Sequence, residues 1–192
     1  MLGPRSIMLV LCLLGQACTC SDGDAAPAKR VKRPPPKATP MVEKELWTPV
    51  EAAVDPLASH RPVDVNCPRG GWVVERQGFE IRTRYCNYAM FSQPSLAPVE
   101  PGDRIVAMLY HFDLVEVEPA TAHLALMIGP RVFWEKTIEI PGKANAYNVE
   151  VVADFSSPAG TPVYLHLHNH GRNEWTLASV GVVAAANLQA AP

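Results

Sequence analysis

Turn residues divide the chain between residues 67 and 184 into short stretches that have the residue pattern of β-strands. Pro and Gly pairs mark several of the divisions, as at Pro101-Gly102, Gly129-Pro130 and Pro141-Gly142. The sequence therefore predicts an all-β domain, an antiparallel β-sandwich (jelly roll) of about eight strands. The predicted strands cover residues 71–76, 79–86, 104–115, 122–128, 131–140, 147–155, 161–170 and 175–184.

Composition fits one domain with a substantial core. The chain has 192 residues, of which 48% are apolar. Charged residues make up 19% and the net charge is −2, so no basic surface for nucleic acid is indicated. After residue 20, no stretch approaches the roughly 18 apolar residues of a membrane-spanning helix.

The stretch 161–170 alternates apolar and polar residues with period two, which is typical of a strand. One face carries Val163, Leu165 and Leu167, and the other carries Tyr164, His166, His168 and His170. Adjacent histidines on one strand face lie about 7 Å apart at Cα, so two imidazoles can bind one ion. If the strand holds a metal ion, His166 and His168 form the chelating pair, with His170, His111 or His123 as further ligands.

Two more histidines, His111 and His123, lie at equal distances from Val117 in neighbouring predicted strands. If those strands form a hairpin centred on Val117, the two side chains lie opposite each other, about 5 Å apart at Cβ. Five of the six histidines would then occupy two patches that a sandwich could bring together. If the chain instead crosses to the other sheet after Val115, the two histidines separate.

Three interpretations of the histidine strand stay open at this stage. Neutral imidazoles suit Cu²⁺ or Zn²⁺, which makes copper or zinc the predicted cofactor. A polar groove for a sugar or another small ligand is the second, and a hydrated strand face without a ligand is the third. Aromatic side chains that could stack on a sugar, or serve as core anchors, are Tyr110, Trp134, Tyr164 and Trp175.

Cys67 and Cys86 are the two cysteines within the predicted domain. In an oxidising compartment they are expected to form a disulfide. Thiolate metal ligation is the alternative, although the spacing lacks a Cys-x-x-Cys motif. No nucleophile is paired with a base along the sequence, so we predict that the protein is not an enzyme.

The N-terminus has the pattern of an export signal. Arg5 precedes a short apolar run at residues 7–14, and small residues follow before Cys18. We predict a signal peptide at 1–17, a disordered basic Pro/Ala-rich tether at 18–44 and the domain at 45–192.

Residues 14–18 resemble a bacterial lipobox, which implies lipidation of Cys18 and attachment to a membrane through the lipid anchor. Because Thr19 follows, the resemblance to Gram-negative lipoproteins implies the outer membrane. Cleavage after Ala17 without lipidation would instead give a periplasmic or secreted protein.

The end of the domain resembles jelly-roll carbohydrate-binding modules of the galactose-binding-like kind. The likeness rests on the turn at 140–142, the run at 154–165 and a final strand that begins with Trp175. It implies a non-catalytic sandwich at the cell envelope that binds a glycan or a cell-envelope polymer. A copper or zinc protein of the periplasm or outer membrane is the alternative prediction, and a structural envelope protein is a further one.

Overall fold

The computed structural model describes residues 36–189. Its eleven strands are β1 (Thr39–Pro40), β2 (Thr48–Pro49), β3 (Trp72–Glu75), β4 (Gly78–Arg82), β5 (Tyr88–Pro94), β6 (Arg104–His111), β7 (Ala120–Ile128), β8 (Arg131–Ile140), β9 (Asn145–Val152), β10 (Pro162–Asn169) and β11 (Glu174–Val183). Short 3₁₀ turns cover Ala52–Val54 and Ala58–His60, and the helix α1 spans Ala185–Gln189.

The strands form two antiparallel sheets that pack as a jelly-roll sandwich. The first sheet has the order β3-β4-β11-β6-β9, with β1 also paired to β11, and the second has the order β2-β5-β10-β7-β8. After β4 the chain changes sheet at almost every connection, and only β7 and β8 follow each other within one sheet. The predicted fold class is confirmed.

The core lies between the sheets and follows the predicted alternation. In β6 the core side chains are Ile105, Ala107 and Leu109, and in β10 they are Val163, Leu165 and Leu167. Burying apolar side chains of this size contributes about 1.5–3 kcal/mol each. This burial fixes the face that each strand turns outward, and it therefore positions the histidines of β10.

One long strand, β5, was missing from the sequence prediction. Its residues Tyr88 to Phe91 are all buried, because β5 pairs with β10 and is covered on both faces. A strand buried on both faces shows a continuous apolar run instead of alternation. The two-residue strands β1 and β2 were also not predicted.

The ordered domain begins earlier than the predicted boundary at residue 45. Thr39 and Pro40 pair with Val182 and Gly181 of β11, and Met41 is completely buried in the core. Residues 39–41 therefore belong to the sandwich and not to the tether. The predicted signal peptide at 1–17, the lipidation site Cys18 and most of the tether lie outside the described residues.

The predicted disulfide between Cys67 and Cys86 is confirmed. It ties the segment before β3 to the segment before β5, closing a loop with a sequence separation of 19 residues. Across residues 36–189, none of the helices reaches the length and apolar character that crossing a bilayer requires.

Candidate metal centre

His166 occupies the middle of β10 on the face that points away from the core. It lies opposite Met90 of β5 and Ala125 of β7, so strands flank it on both sides. An outward residue of a sandwich is normally exposed, yet His166 has no accessible surface. Something other than the two sheets must contribute to its burial.

Part of that cover is the segment of residues 50–66, which we call the strap. It runs from the end of β2 to the residue before Cys67 and crosses the outer face of the second sheet. At its start the Val50 N–H donates to the Met90 carbonyl at 2.8 Å, and at its end Asn66 pairs with Asn87. Tyr88, on the sheet below, donates its hydroxyl to the buried Asp55 at 2.6 Å.

The strap brings a third histidine to the sheet. The ring of His60 stacks on His123 with centroids 4.2 Å apart and approaches His166 edge-on at 5.6 Å. The rings of His123 and His166 are 5.2 Å apart. One ring nitrogen from each of the three lies within 4.8 Å of the others, which defines the three-histidine cluster His60, His123 and His166.

The spacing in this cluster suits one bound ion. With metal–nitrogen bonds of about 2.0–2.1 Å, three imidazole nitrogens around a tetrahedral ion lie about 3.3 Å apart. Nitrogens that are at most 4.8 Å apart reach that distance if each ring moves by less than about 1 Å.

Hydrogen bonding leaves the cluster unsatisfied. Neither ring nitrogen of His166 has a hydrogen-bond partner among the described residues, although both are buried. Nδ1 of His123 is likewise buried and unpartnered, while its Nε2 lies 3.4 Å from Oε2 of Glu135. The carboxylate favours a proton on Nε2, which leaves the lone pair of Nδ1 available to a metal. A carboxylate that orients a metal-binding histidine in this way is common at metal sites.

The electrostatics keep the rings of His166 and His123 neutral. Burial, assisted by the neighbouring His123 and His60, lowers the pKa of His166 from 6.5 to about 3. Burial, together with His60, also lowers the pKa of His123, against the opposing effect of Glu135. Neutral imidazole is the form that binds metal, so these two rings need not lose a proton before coordination at neutral pH.

The structure brings together only some of the predicted metal ligands. His166 and His123 belong to the cluster. His168 lies on the same face of β10, but its ring packs against Tyr88 at 5.8 Å and His170 at 4.5 Å. His170 is exposed and lies just beyond the end of β10. His168 is therefore not part of the three-histidine cluster, and its pairing with His166 on one ion stays a prediction.

His111 does not join the other histidines, because the predicted hairpin around Val117 is not formed. Its strand β6 lies in the first sheet and β7 lies in the second, so the chain crosses between sheets after His111. His111 is buried against Trp175, with ring centroids 4.5 Å apart. Its ring nitrogens contact the Phe112 carbonyl at 2.7 Å and the Tyr147 hydroxyl at 3.0 Å.

Sequence reasoning missed His60. It lies outside every strand, at the end of a 3₁₀ turn, and so has no periodicity to mark it. The only signal in the sequence was that His60 was the one histidine left after the other five had been placed in two patches. It lies in a Pro-rich segment that begins at Pro49.

The four aromatic residues predicted as ligand platforms do not form one surface. Trp175 is buried beside His111, and Tyr164 is half-buried on the outer face of the second sheet. Tyr110 lies on the face of β6 opposite its core residues, near Phe112 at 6.2 Å. Trp134 lies at the edge strand β8, where its ring meets Tyr147 of β9 at 5.8 Å.

Trp134 lies where β8 of one sheet approaches β9 of the other. We call this region the edge groove; its partly buried residues are Phe133, Trp134, Tyr147, Val151 and Phe155. A cavity of about 470 Å³ in this region is lined by Phe133, Phe155 and Arg131 among others, but not by Trp134 or Tyr147. Arg131 lies over the Phe155 ring and 3.5 Å from Asp154, so charged and aromatic groups meet there.

Comparison with solved structures finds similar folds among carbohydrate-binding modules. A CBM28 module described as specific for non-crystalline cellulose has 10% identity and a TM-score of 0.42, covering 79% of this chain and 97% of its own. A CBM4 module has 6% identity and a TM-score of 0.39, covering 58% and 87%. A CBM61 module, solved with β-1,4-galactotriose, has 10% identity and a TM-score of 0.35, covering 62% and 80%.

At 6–10% identity these are similarities to other proteins, and they assign no family to this chain. No protein-family model matches the sequence, and the search of curated proteins gives no match.

Proposed function

We propose that this protein binds a transition-metal ion, Zn²⁺ or Cu²⁺, at the three-histidine cluster. The observation that carries the proposal is His166, which is completely buried with both ring nitrogens unpartnered and with His60 and His123 beside it. A buried polar group without a partner costs about 1–3 kcal/mol, so its retention needs an explanation. Coordination of an ion by one of these nitrogens supplies that explanation.

The donor set selects the class of metal. Three imidazoles and no thiolate suit Zn²⁺, Cu²⁺ and Ni²⁺, with affinity highest for Cu²⁺ in the usual order. Ca²⁺ and Mg²⁺ prefer oxygen ligands, so three imidazole nitrogens bind them poorly. The protein's own contribution is to hold two of the rings on rigid strands and to fix the tautomer of His123 through Glu135.

An ordered water bridging the same nitrogens is the competing explanation. Protein purified without an affinity tag, loaded with Zn²⁺ and then passed through a desalting column should retain one ion per chain by elemental analysis. Co²⁺ in the same site should give the visible absorption bands of a tetrahedral ion. A protein that retains no metal, with no Co²⁺ bands, would favour the water.

Matched variants test the identity of the ligands. His60→Ala should reduce zinc affinity strongly, because it removes one of three ligands. His168→Ala is the control, since His168 is on the same strand face as His166 but outside the cluster. A larger loss with His168→Ala than with His60→Ala, measured by isothermal titration calorimetry, would restore the pairing predicted from the sequence.

A second candidate function is glycan binding in the edge groove. It is favoured by the partly exposed Trp134 and Tyr147 beside each other, because aromatic faces stack on the apolar faces of sugar rings. Arg131, Asp154 and Lys136 add polar groups at the groove, with Lys136 Nζ 5.8 Å from the Tyr147 ring. Concave apolar surfaces with a few polar groups are the usual form of small-molecule sites.

Glycan binding should quench Trp fluorescence and persist in EDTA, which separates it from the metal centre. Trp134→Ala should abolish it, whereas Tyr110→Ala, on a different surface, should leave it intact. A broad glycan array without a hit on folded protein would count against this second function.

Attachment to the bacterial outer membrane through a lipid on Cys18 completes the proposal. Its support is the apolar run at residues 7–14 followed by the lipobox-like residues 14–18. Cys18→Ser should move the protein from the detergent phase to the aqueous phase after native export, and Cys20→Ser should not. Wild-type protein that is already aqueous after export would contradict anchoring and leave a periplasmic or secreted protein.

A further inference from the structure

The two ends of the strap are fixed independently of the three-histidine cluster. At one end β2 pairs with β5, with Thr48 opposite Ser92 and Pro49 opposite Phe91. At the other end the disulfide of Cys67 holds the chain next to Asn66. Only the residues between these points can leave the sheet while the sandwich stays folded.

The middle of the strap has little apolar anchoring. None of the residues in its two 3₁₀ turns is buried, and Val54 and Val63 are 68% and 101% exposed. The one buried residue between 51 and 62 is Asp55, a polar side chain. Segments with few buried apolar contacts are the ones that open locally in native proteins.

The contacts that do hold the middle of the strap are polar or aromatic. Asp55 accepts hydrogen bonds from the Tyr88 hydroxyl and, at 3.0 Å, from Arg61. Arg61 also lies over the Tyr88 ring at 5.1 Å. The Tyr88 hydroxyl also lies 3.4 Å from the Leu57 carbonyl, and His60 packs on the rings of His123 and His166.

Closing the strap over the sheet has opposite consequences with and without an ion. Without one, His60 lies over His166 while both nitrogens of that ring stay buried and unpartnered. Water can reach those nitrogens when the strap opens, so the metal-free protein opens more readily than the metal-bound protein. With an ion, a nitrogen of His166 gains a ligand bond, and His60 joins the strap to β7 and β10.

We infer that the ion acts as a clasp for the strap, so that metal occupancy controls whether residues 51–65 stay closed over Tyr88 and His166. This inference rests on the proposed metal binding and adds its regulatory consequence. The closed form offers the ion three histidines and the open form only His123 and His166, so the ion binds the closed form more tightly. Where binding to the open form is negligible, the ion lowers the population of the open form by the factor 1 + [metal]/Kd, which is about 100-fold when the free metal is 100 times Kd.

Hydrogen exchange read by mass spectrometry tests the clasp directly. The strap contains backbone N–H groups that donate within it: Val54 to Glu51, Asp55 to Ala52, His60 to Leu57 and Arg61 to Ala58. Peptides covering residues 51–66 should exchange up to about 100-fold more slowly in saturating Zn²⁺ than in EDTA. Peptides from β11, which lies in the other sheet, serve as the internal control and should not change.

Two variants separate the clasp from simple metal binding. His60→Ala leaves His123 and His166 on the sheet, so at saturating Zn²⁺ the ion can bind while the strap stays fast-exchanging. Asp55→Asn weakens the strap's polar contact with Tyr88 without removing a ligand, so it should raise strap exchange in EDTA and keep most of the zinc-induced slowing.

The outcomes distinguish the two proposals. Zinc retained at one ion per chain with unchanged exchange of residues 51–66 would overturn the clasp and leave metal binding standing. Equal slowing of the strap in wild type and His60→Ala would also overturn it. Zinc that fails to bind the wild-type protein at all would remove the proposed function, and the clasp with it.

Discussion

The two buried histidines of the sandwich, His111 in β6 and His166 in β10, occupy contrasting surroundings. His111 lies on the face of β6 that carries the core residues, and both of its ring nitrogens have partners. Since the Phe112 carbonyl can only accept, Nδ1 carries the proton and Nε2 accepts from the Tyr147 hydroxyl. His166 faces outward from the second sheet, and neither of its nitrogens has a partner among the described residues.

The difference shows that burial alone does not reveal whether the ring nitrogens of a histidine have partners. His111 is 3% exposed and His166 is 0% exposed, so the two side chains hardly differ in accessibility. They differ in hydrogen bonding, because both ring nitrogens of His111 have partners and neither ring nitrogen of His166 does among the described residues. His111 links β6 to β9 through a hydrogen bond, whereas the ring of His166 makes no hydrogen bond to any described residue.

The strongest test of this contrast is metal binding by His166→Leu and His111→Leu. Leucine keeps an apolar side chain of similar size at each position. His166→Leu should abolish zinc binding in calorimetry, a larger loss than the 10–100-fold that removing an outer-shell partner typically causes. His111→Leu should bind zinc with wild-type affinity, and a loss in both variants would show that the contrast is mistaken.

Stability in EDTA should change in opposite directions in the same two variants. His111→Leu leaves the Tyr147 hydroxyl and the Phe112 carbonyl without partners and should lower the free energy of unfolding by about 1–3 kcal/mol. His166→Leu removes two unpaired nitrogens and should leave the free energy of unfolding unchanged or raise it by up to about 2 kcal/mol. Urea denaturation measures both, and a destabilised His166→Leu in metal-free protein would indicate partners that the described residues do not provide.

Glu135→Ala tests whether the carboxylate of Glu135 orients His123 for the proposed metal ion. Without the carboxylate the tautomer of His123 is no longer fixed, so zinc affinity should fall by about 10–100-fold. Glu139→Ala, another exposed glutamate of β8, is the matched control and should have no effect. Equal zinc affinities in the two variants, measured by competition with a chromogenic chelator, would exclude Glu135 from the centre.

A further test of the contrast is the pH dependence of stability. Burial lowers the pKa of His166 to about 3, so between that pH and 6.5 the unfolded chain binds this proton and the folded chain does not. Stability from this group is present above pH 6.5 and is lost as pH falls toward 3, by at most about 1.4 kcal/mol per pH unit. His166→Leu should therefore lose less stability than wild type between pH 7 and pH 4.5 in EDTA. Identical urea midpoint shifts would contradict the depressed pKa.

Strands with one face on the core could be predicted from the sequence, because their side chains alternate. The bounds predicted for β8 match the structure, and those for β10 differ by one residue at each end. The strand β5 could not be found in this way, since Tyr88 to Phe91 are buried on both faces. The pairing of residues 39–40 with β11 was missed because two residues show no periodicity.

The candidate centre could be predicted only in part, for a related reason. Strand periodicity placed His166 on the outer face of β10, and the structure agrees. His60 comes from a segment without periodicity, so its position depends on tertiary contacts that local sequence does not encode. The grouping of His111 with His123 failed because the connection at 112–119 does not reveal whether it joins strands of one sheet or crosses to the other.

The position of β11 bears on the order in which the domain can form during synthesis. It is the last of the eleven strands within residues 36–189, yet it lies in the middle of the first sheet. One side of β11 pairs with β6, and the other side pairs with β4 and β1. That sheet cannot assemble until residue 183 has left the ribosome, and pairings between such distant segments form slowly. A nascent chain held open in this way suits passage through a translocon in the unfolded state, which the proposed export requires.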